Sequence, residues 1–157
     1  IGERYAHSEL KIVCDTFFDC EKMHVVKKQW QSDEEVEDLQ SFDIGLMPLV
    51  DDPWSWGKCG LKIVQYQGVG LPVVCTPVGV NRDLVEDGVS GFWATTSQEW
   101  EEKISVLVEN PLLRESLGKE GRRRVLERYT VQSCAPRLFF ILKRVTENKQ
   151  YRDGLLV

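Results

Sequence analysis

The chain has 157 residues, enough for one domain with a substantial core, and its 42% of apolar residues exclude a disordered polymer. Its net charge of −5 gives no electrostatic support for nucleic-acid binding, so we expect no nucleic-acid partner. Five cysteines without a CxxC pair or zinc-type spacing fit a reducing compartment, and no apolar run approaches membrane-spanning length, so we expect a cytoplasmic protein.

Short apolar runs bounded by glycine, proline or aspartate predict buried strands. In chain order these runs cover residues 10–15, 23–30, 43–48 and 72–76, and a short edge strand is predicted at residues 90–94. Helical patterns lie between them. Strands that alternate with helices indicate an α/β fold with a doubly wound parallel sheet, and we expect one domain over residues 1–157.

The first two helices have recognisable starts and apolar faces. Ser32 lies three residues before Glu35, a capping-box pattern that predicts a helix over residues 33–41. A crossover helix is predicted over residues 61–69, between the third and fourth strands. The side chains predicted to face inward are Val36 and Leu39 in the first helix and Leu61, Val64 and Val69 in the second.

Capping residues and prolines mark the later helices. Asn81 is predicted to cap a short helix that runs to residue 85. The last helix is predicted to start near Ser133, because Pro136 is tolerated only in a first turn. Two further starts are predicted by a capping box of Thr96 and Glu99 and by the pair Asn110 and Pro111.

The loop between the third strand and the crossover helix is the strongest candidate site. It lies at the carboxyl end of a strand, where ligands bind in open parallel sheets, and it opens a helix whose dipole favours an anion. Gly57 and Gly60 bracket Lys58 and Cys59 just before that helix, and Lys62 adds positive charge. The loop matches neither a Walker A loop nor a GxGxxG pattern, so a plain strand-to-helix connection is the alternative. We predict a site for a phosphorylated ligand.

Two tryptophans in the same polar loop favour the functional alternative. Trp54 and Trp56 have no helical or strand period that would bury them, and exposed large aromatic rings usually have a partner to cover. A sugar face or a base suits such rings, although packing on another domain is equally allowed. The adjacent Asp51 and Asp52 precede Pro53 and are more typical of a turn than of paired acid–base groups.

The stretch WGKCGLKIVQYQGVGLPVVCTPVGVNRDLVEDGVSGFWA closely resembles the donor-binding domain of group 1, GT4-type glycosyltransferases with the GT-B fold. With the upstream QSDEEVEDLQSFDIGLMPL and the terminal helices, the resemblance covers residues 10–149. It implies one half of a two-domain enzyme, a Rossmann-like domain that holds most of the nucleotide-sugar. It also implies sugar transfer with retention, usually without a metal, so we expect no metal site and no cofactor.

The family carries two glutamates with seven residues between them, of which the first contacts donor-sugar hydroxyls and the second the ribose. These positions correspond to Gly57 and Gln65, so both glutamates are absent here. Gln65 can still hydrogen-bond a ribose hydroxyl. Lys58 and Lys62 stand where the family has small or apolar residues. In the family, an Arg/Lys pair binds the diphosphate, and it lies in elements that we expect upstream of Ile1. We expect the acceptor-binding domain upstream as well.

If the chain is such a donor-binding domain, we expect ten of its residues to have roles at the donor site. The backbone of Gly57, Cys59, Gly60 and Leu61 would hold the diphosphate or the sugar edge, and Lys58 and Lys62 would stabilise the leaving phosphate as the catalytic cations. Gln65 would take the ribose, Trp30 would lie near the base, and Trp56 would line the donor site in the cleft between the two domains, with Trp54. The segment after residue 148 would reach toward the other domain.

The leading hypothesis is the donor-binding part of a retaining glycosyltransferase in glycan, polysaccharide or lipopolysaccharide assembly. The expected partners are a UDP- or GDP-sugar and a sugar or lipid-linked acceptor, with peripheral association at the inner membrane face. The alternative is a non-catalytic module that binds a nucleotide or a protein. A nucleotide-sugar epimerase is a third option, but it would need catalytic carboxylates and a histidine that we cannot place.

Overall fold

A computed structural model describes residues 1–147 of the chain. Every predicted strand is present, shorter by one to three residues than the apolar run that marked it. The strands are β1 (Glu9–Val13), β2 (His24–Lys28), β3 (Gly45–Met47), β4 (Val73–Cys75) and β5 (Gly91–Trp93). The predicted α/β class, with parallel strands alternating with helices, is confirmed.

Helices fill the predicted connections, and one short helix, α2, lies in the segment that was predicted to be a loop. They are α1 (Glu35–Gln40), α2 (Pro53–Trp56), α3 (Leu61–Gly68), α4 (Asn81–Leu84), α5 (Ser97–Glu109), α6 (Pro111–Arg128) and α7 (Val131–Glu147). The chain falls into two compact units, residues 1–122 and residues 123–157. The expectation of a single domain over residues 1–157 stays a prediction, and the predictions for the segment after residue 148 and the tail at 151–157 lie outside the described residues.

The parallel strands form two separate hydrogen-bonded sheets rather than one. β1 pairs with β2, with Glu9 opposite His24. The second sheet has the order β3–β4–β5, with Gly45 opposite Val73 and Val73 opposite Gly91. No backbone ladder joins the two sheets within residues 1–147. The crossover helix α3 links β3 to β4 and contacts both strands, so its first turn lies beyond the carboxyl end of β3.

The central strand β4 carries the core of the first unit. Val73, Val74 and Cys75 are fully buried. Val74 packs in a cluster with Ala94, Leu107 and Leu117, which come from the end of β5, from α5 and from α6. Burial raises the pKa of the Cys75 thiol to about 12, so this cysteine is a small buried apolar group.

The predicted capping box and inward face of α1 are partly wrong. The N-cap residue of α1 is Glu34 rather than Ser32, and no side chain hydrogen-bonds to the amides of the first turn. Leu39 is buried as predicted, but Val36 is 60% exposed and the other buried residue is Asp38. The reason is electrostatic, because the Nζ atoms of two strand lysines donate to the Asp38 carboxylate from the sheet side.

The inward face of α3 also differs from the prediction. Ile63 and Gln67 are fully buried, whereas Leu61 is 56% exposed. The Gln67 amide donates to the carbonyl oxygens of Leu84 and Ser90 at 3.3 and 3.4 Å. These bonds satisfy the amide nitrogen of Gln67 in the core, although its Oε1 atom is buried without a partner, and the helix face is shifted away from the one that its apolar residues indicated.

Two of the later caps are confirmed. Thr96 and Glu99 form the predicted capping box, with the Glu99 amide donating to Thr96 Oγ1 at 3.2 Å and the Thr96 amide to Glu99 Oε2 at 3.0 Å. The Leu113 amide donates to Asn110 Oδ1 at 3.0 Å, ahead of Pro111 as predicted.

Two other predicted starts are wrong. Asn81 does not cap α4, because its side-chain Nδ2 atom donates to the Thr76 carbonyl at 2.9 Å instead. The last helix begins at Val131, where Thr130 and Ser133 cap each other's amides, and Pro136 therefore lies inside it, beyond the first turn.

Helix α6 comes unusually close to the turn that follows α3. A Cβ atom on Gly118 would lie 1.9 Å from the Gly70 carbonyl oxygen, so the two backbones touch where any side chain would collide. Gly70 itself has φ +87°, a left-handed conformation that ends the crossover segment. The nearby Arg122 side chain donates to the Gly68 carbonyl, one of the free carbonyls at the end of α3.

Candidate functional site

The loop after β3 is built around the short helix α2. Asp52 caps this helix, because its Oδ1 atom accepts from the Ser55 amide at 2.7 Å. That bond, helped by the charge of Lys58, holds the pKa of Asp52 below its usual range. Asp52 therefore stabilises the turn that starts α2, as its position before Pro53 predicted.

Gly60 sets the angle at which the chain enters α3. Its φ is +67°, and a Cβ atom there would lie 2.2 Å from Leu84 Cδ1. Only glycine meets both conditions. The first amides of α3, on Leu61 and Lys62, have no intrahelical acceptor, and they add to the positive end of the helix dipole.

The structure brings the predicted loop residues together at this helix start. Gly57 ends α2, Lys58 and Cys59 are exposed, and Leu61 is the first residue of α3. Lys58 forms no ion pair within residues 1–147. An exposed, unpaired cation beside free amides is suited to an anion such as a phosphate.

A second group of predicted site residues converges on one carboxylate that sequence reasoning assigned only to a cap. Glu35, in the first turn of α1, accepts from Trp30 Nε1 at 3.1 Å and from Lys62 Nζ at 3.2 Å, both on Oε1. Its Oε2 atom accepts from Gln65 Nε2 at 2.8 Å. The hydrogen bond from Trp30 and then that from Lys62 lower the pKa of Glu35, so this group is ionised at neutral pH. We refer to Trp30, Glu35, Lys62 and Gln65 as the Glu35 cluster.

The cluster borders a small cavity of about 80 Å³ between α1, α3 and the ends of β1 and β2. Trp30, Glu35, Asp38, Lys62 and Tyr66 are among its lining residues. Asp38 is 4% exposed, and one of its carboxylate oxygens, Oδ2, is buried without a hydrogen-bond partner. The cavity therefore combines aromatic surface with cationic and acceptor groups, as small-molecule sites do.

Comparisons with known proteins identify the family of this chain. A family model described as glycosyl transferases group 1 matches residues 2–110. The chain belongs to the group 1 glycosyl transferase family. The predicted family is thus confirmed.

Curated relatives of this glycosyl transferase are longer than the matched region. A probable sucrose-phosphate synthase from Thermosipho melanesiensis is 28% identical over 85 residues, which is 54% of the chain and 19% of the relative. A sucrose synthase from Acidithiobacillus caldus is 31% identical over 90 residues, which is 54% of the chain and 11% of the relative. The match spans less than a fifth of either relative.

Solved structures confirm the predicted fold, that of a Rossmann-like half of a GT-B enzyme. Sucrose-phosphate synthase from Thermosynechococcus elongatus has a TM-score of 0.70 at 19% identity, over 79% of this chain and 31% of that one. Anabaena HepE, in complex with UDP and glucose, has a TM-score of 0.66 at 24% identity, over 76% and 32%. The C-terminal domain of a group 1 family protein from Francisella tularensis has a TM-score of 0.59 at 18% identity, over 69% and 55%.

The exposed tryptophans of the glycosyl transferase are not among the residues that line the cavity beside the Glu35 cluster. Trp54 is 80% exposed and Trp56 is 58% exposed, as their loop predicted. Trp56 Nε1 donates to Asp51 Oδ1 at 2.6 Å. A Cβ atom on Gly79 would lie 2.9 Å from the Trp56 carbonyl oxygen, so the loop after β4 packs directly on the backbone of this tryptophan. The predicted cleft position of both rings stays a prediction.

Sequence reasoning missed the roles of Glu35 and Asp38. The available signal for Asp38 was the pair of lysines inside otherwise apolar strands, because Lys11 and Lys28 need a carboxylate between β1, β2 and the next helix. The signal for Glu35 was weaker. It lies in the first helical turn after the end of β2, at the same sheet edge as Trp30, but a capping box explained it equally well.

Within residues 1–147 of the glycosyl transferase, no three His, Cys, Asp or Glu side chains converge in a way that could hold a metal ion. No helix in this part of the chain is both long and apolar enough to cross a membrane.

Proposed function

We propose that the chain is the donor-binding part of a retaining glycosyltransferase that moves a sugar from a nucleotide-sugar to an acceptor. The observation that carries this proposal is the Glu35 cluster, which gathers Trp30, Lys62 and Gln65 beside the start of α3. A base-sized aromatic ring, a hydroxyl-binding group and a phosphate-sized anion site then lie along one edge of the fold. That order matches the base, ribose and diphosphate of a nucleotide.

Catalysis is assigned to electrostatics rather than to proton transfer. The departing nucleoside diphosphate gains negative charge, and fixed donors that point at that charge lower the barrier. Lys58 and Lys62 supply cations, and the backbone of Gly57, Cys59, Gly60 and Leu61 supplies the amide edge. Lys58 is the freer of the two lysines, because Lys62 is paired with Glu35 at 3.2 Å.

The proposed donor is a UDP- or GDP-sugar. Support comes from Anabaena HepE, a structural neighbour solved with UDP and glucose and also with UDP-glucose. The acceptor is proposed to be a sugar or a lipid-linked sugar in glycan, polysaccharide or lipopolysaccharide assembly, held by protein outside the matched region. We place the enzyme in the cytoplasm, with peripheral association at the inner membrane face, and propose that no metal takes part.

Titration of the chain with UDP, GDP and uridine tests donor binding. We expect amide shifts over residues 56–65 in NMR spectra with either diphosphate, weakening as salt rises, because the contacts are to phosphate. Uridine, which lacks the phosphates, is the matched control and should bind far more weakly. Shifts confined to residues 122–124 would place the ligand on the wrong face and contradict the proposal.

A non-catalytic binding module is the second candidate, and one observation favours it. Both glutamates of the resembling family are replaced, by Gly57 and Gln65. Incubation of the full-length protein with UDP-[¹⁴C]glucose and candidate lipid-linked acceptors separates the two. Transfer of label with retention of the anomeric configuration in NMR supports the enzyme, whereas saturable UDP binding without transfer supports the module.

A further inference from the structure

We infer that Glu35 supplies the carboxylate that binds the ribose hydroxyls of the donor nucleotide, and that Gln65 and Lys62 hold it in place. This inference rests on the proposed function. It moves the ribose contact from Gln65, where the family alignment places it, to a residue on a different helix.

The first argument is the position of Glu35 among its neighbours. Its carboxylate contacts Trp30, the proposed base-side residue, at 3.1 Å and Lys62, a proposed phosphate-side residue, at 3.2 Å. In a nucleoside diphosphate the ribose joins the base to the phosphates. A group that bridges the residues proposed for the two ends therefore lies where the ribose would be.

The second argument is the orientation of the Gln65 side chain. Its Nε2 atom donates to Glu35 Oε2 at 2.8 Å, and its Oε1 atom is buried without a hydrogen-bond partner. The acceptor oxygen of this amide thus faces away from solvent and offers nothing to a ligand hydroxyl. Gln65 acts instead as a donor that orients the Glu35 carboxylate.

The third argument is the acceptor capacity that Glu35 retains. Its side chain is 27% exposed and lines the cavity, whereas Gln65 is not among the cavity-lining residues. Oε2 accepts one hydrogen bond in the structure, and a carboxylate oxygen can accept two. A ribose hydroxyl can therefore donate to Oε2 without displacing Gln65.

This arrangement also explains why position 65 is an amide. A carboxylate there would lie within 2.8 Å of the Glu35 carboxylate, the distance that now separates Nε2 from Oε2. Two carboxylates so close cannot both be ionised without a large shift in pKa. A carboxylate at position 35 and an amide at position 65 are thus complementary, and exchanging them should preserve the pair.

The test is the ratio of the affinity for UDP to the affinity for a deoxy compound, measured by titration calorimetry on the full chain. The probes are UDP, 2′-deoxyuridine diphosphate and 3′-deoxyuridine diphosphate. A hydrogen bond to a charged group corresponds to a loss of about tenfold or more for the deoxy compound that lacks the contacted hydroxyl. The ratio is diagnostic because removing a negative charge near the diphosphate alters the affinity for all three probes alike.

Four variants make the test specific. We expect Glu35→Gln to bring the ratio close to one. Glu37→Gln, a change of the exposed glutamate two residues further along α1, is the matched control and should leave the ratio unchanged. Gln65→Glu alone should weaken all three probes and lower the melting temperature, because it creates the carboxylate pair. Glu35→Gln combined with Gln65→Glu should restore the melting temperature but not the preference for the ribose compound, because the carboxylate then stands at position 65, which does not line the cavity.

Each outcome has a distinct meaning. UDP binding with an unchanged ratio in Glu35→Gln overturns this inference and leaves the proposed function standing. Absence of UDP and GDP binding by the unaltered chain overturns both. If Glu35→Gln loses its cooperative unfolding transition, the double exchange decides, because it keeps one amide and one carboxylate at the site. A ratio near one then supports the inference, and a ratio like that of the unaltered chain overturns it, because it would place the ribose contact at position 65.

Discussion

At the scale of single residues, the buried Asp38 carboxylate makes the stability of the chain depend on pH. Lys28 Nζ and Lys11 Nζ donate to its Oδ1 atom at 2.8 and 2.9 Å. The hydrogen bond from Lys28 is the largest cause that holds the pKa of Asp38 below its usual range. The folded pKa therefore lies below the unfolded value of about 3.9, and the stabilisation is present above that value and lost as the pH falls through the folded pKa.

We predict that Asp38→Asn lowers the melting temperature by several degrees near neutral pH and flattens the loss of stability on acidification. Thermal unfolding near neutral pH measures the first effect, and urea unfolding at a series of pH values between about 5 and about 3, around the unfolded pKa, measures the second. Asp33→Asn, at an exposed position of the segment before α1, is the control. An Asp38→Asn variant with the acid limb of the unaltered chain would contradict this account.

The unequal pairing of the two site lysines leads to a second prediction at this scale. Lys58 is exposed and unpaired among the described residues, whereas Lys62 is already bonded to Glu35. Lys58→Ala should weaken UDP binding by about tenfold and reduce its salt dependence. Calorimetry at two salt concentrations measures both quantities, with Lys119→Ala, an exposed position on α6, as the matched change. Equal losses in both variants would mean that Lys58 acts only through net charge.

At the scale of elements, the entry of α3 depends on Gly60. Gly60 and Gly70 both have positive φ, but only at Gly60 would a Cβ atom collide with a neighbour, at 2.2 Å from Leu84 Cδ1. Left-handed strain costs about 1–2 kcal/mol for a residue with a Cβ, and overpacking adds about 1–3 kcal/mol.

We therefore predict that Gly60→Ala lowers the free energy of unfolding by about 2–5 kcal/mol, and Gly70→Ala by only about 1–2 kcal/mol, since the second change carries strain alone. Urea unfolding of the two variants measures the difference. Gly60→Ala should also weaken UDP binding, because the first amides of α3 would turn. Equal destabilisation by both changes would show that Leu84 moves aside without cost.

The exposed tryptophan loop gives a further prediction for an element. Trp54→Ala and Trp56→Ala should change the free energy of unfolding by no more than about 0.5 kcal/mol, as surface substitutions do. Trp93→Ala is the contrasting variant, because the Trp93 ring is half-buried and its Nε1 donates to the Val85 carbonyl at 3.0 Å. Thermal unfolding of the three variants measures the contrast. A large loss with either loop tryptophan would show that its ring contributes to the core.

The elements themselves were predictable wherever a local signal existed. The apolar runs located every strand, and the Thr96–Glu99 box located the start of α5, because both depend on neighbouring residues. The inward faces of α1 and α3 were not predictable from local pattern. They are set by long-range partners of Asp38 and Gln67, which lie on other strands and loops. The Glu35 cluster was missed for the same reason.

At the scale of the whole molecule, the family and the α/β class could be predicted, but the division of the strands into two sheets could not. Pairing of strands depends on backbone geometry between distant segments, which apolar runs do not encode. The catalytic competence of the chain also belongs to this scale. The chain covers about a third of the sucrose-phosphate synthase and HepE structures that it resembles.

We predict that the purified 157-residue chain binds UDP but transfers no sugar, because an acceptor site and domain closure are needed for transfer. The full-length protein should transfer sugar equally well with and without EDTA, since charge on the leaving phosphate is assigned to lysines and amides. Radiolabel transfer assays with both proteins measure this. Loss of activity in EDTA that Mg²⁺ or Mn²⁺ restores would show that a cation shares the task.

The contact between Gly118 and the Gly70 carbonyl restricts how this protein could be engineered. Replacing glycine with alanine inside a helix is a standard route to higher thermostability, because alanine has a helix propensity about 1 kcal/mol better. In α6 that route is closed at position 118, where a methyl group would lie 1.9 Å from a backbone oxygen and would push the helix off the end of α3. Replacing Gly118 with alanine to stabilise α6 would thus disturb the turn that fixes α3, and with it a binding edge formed by residues far earlier in the chain.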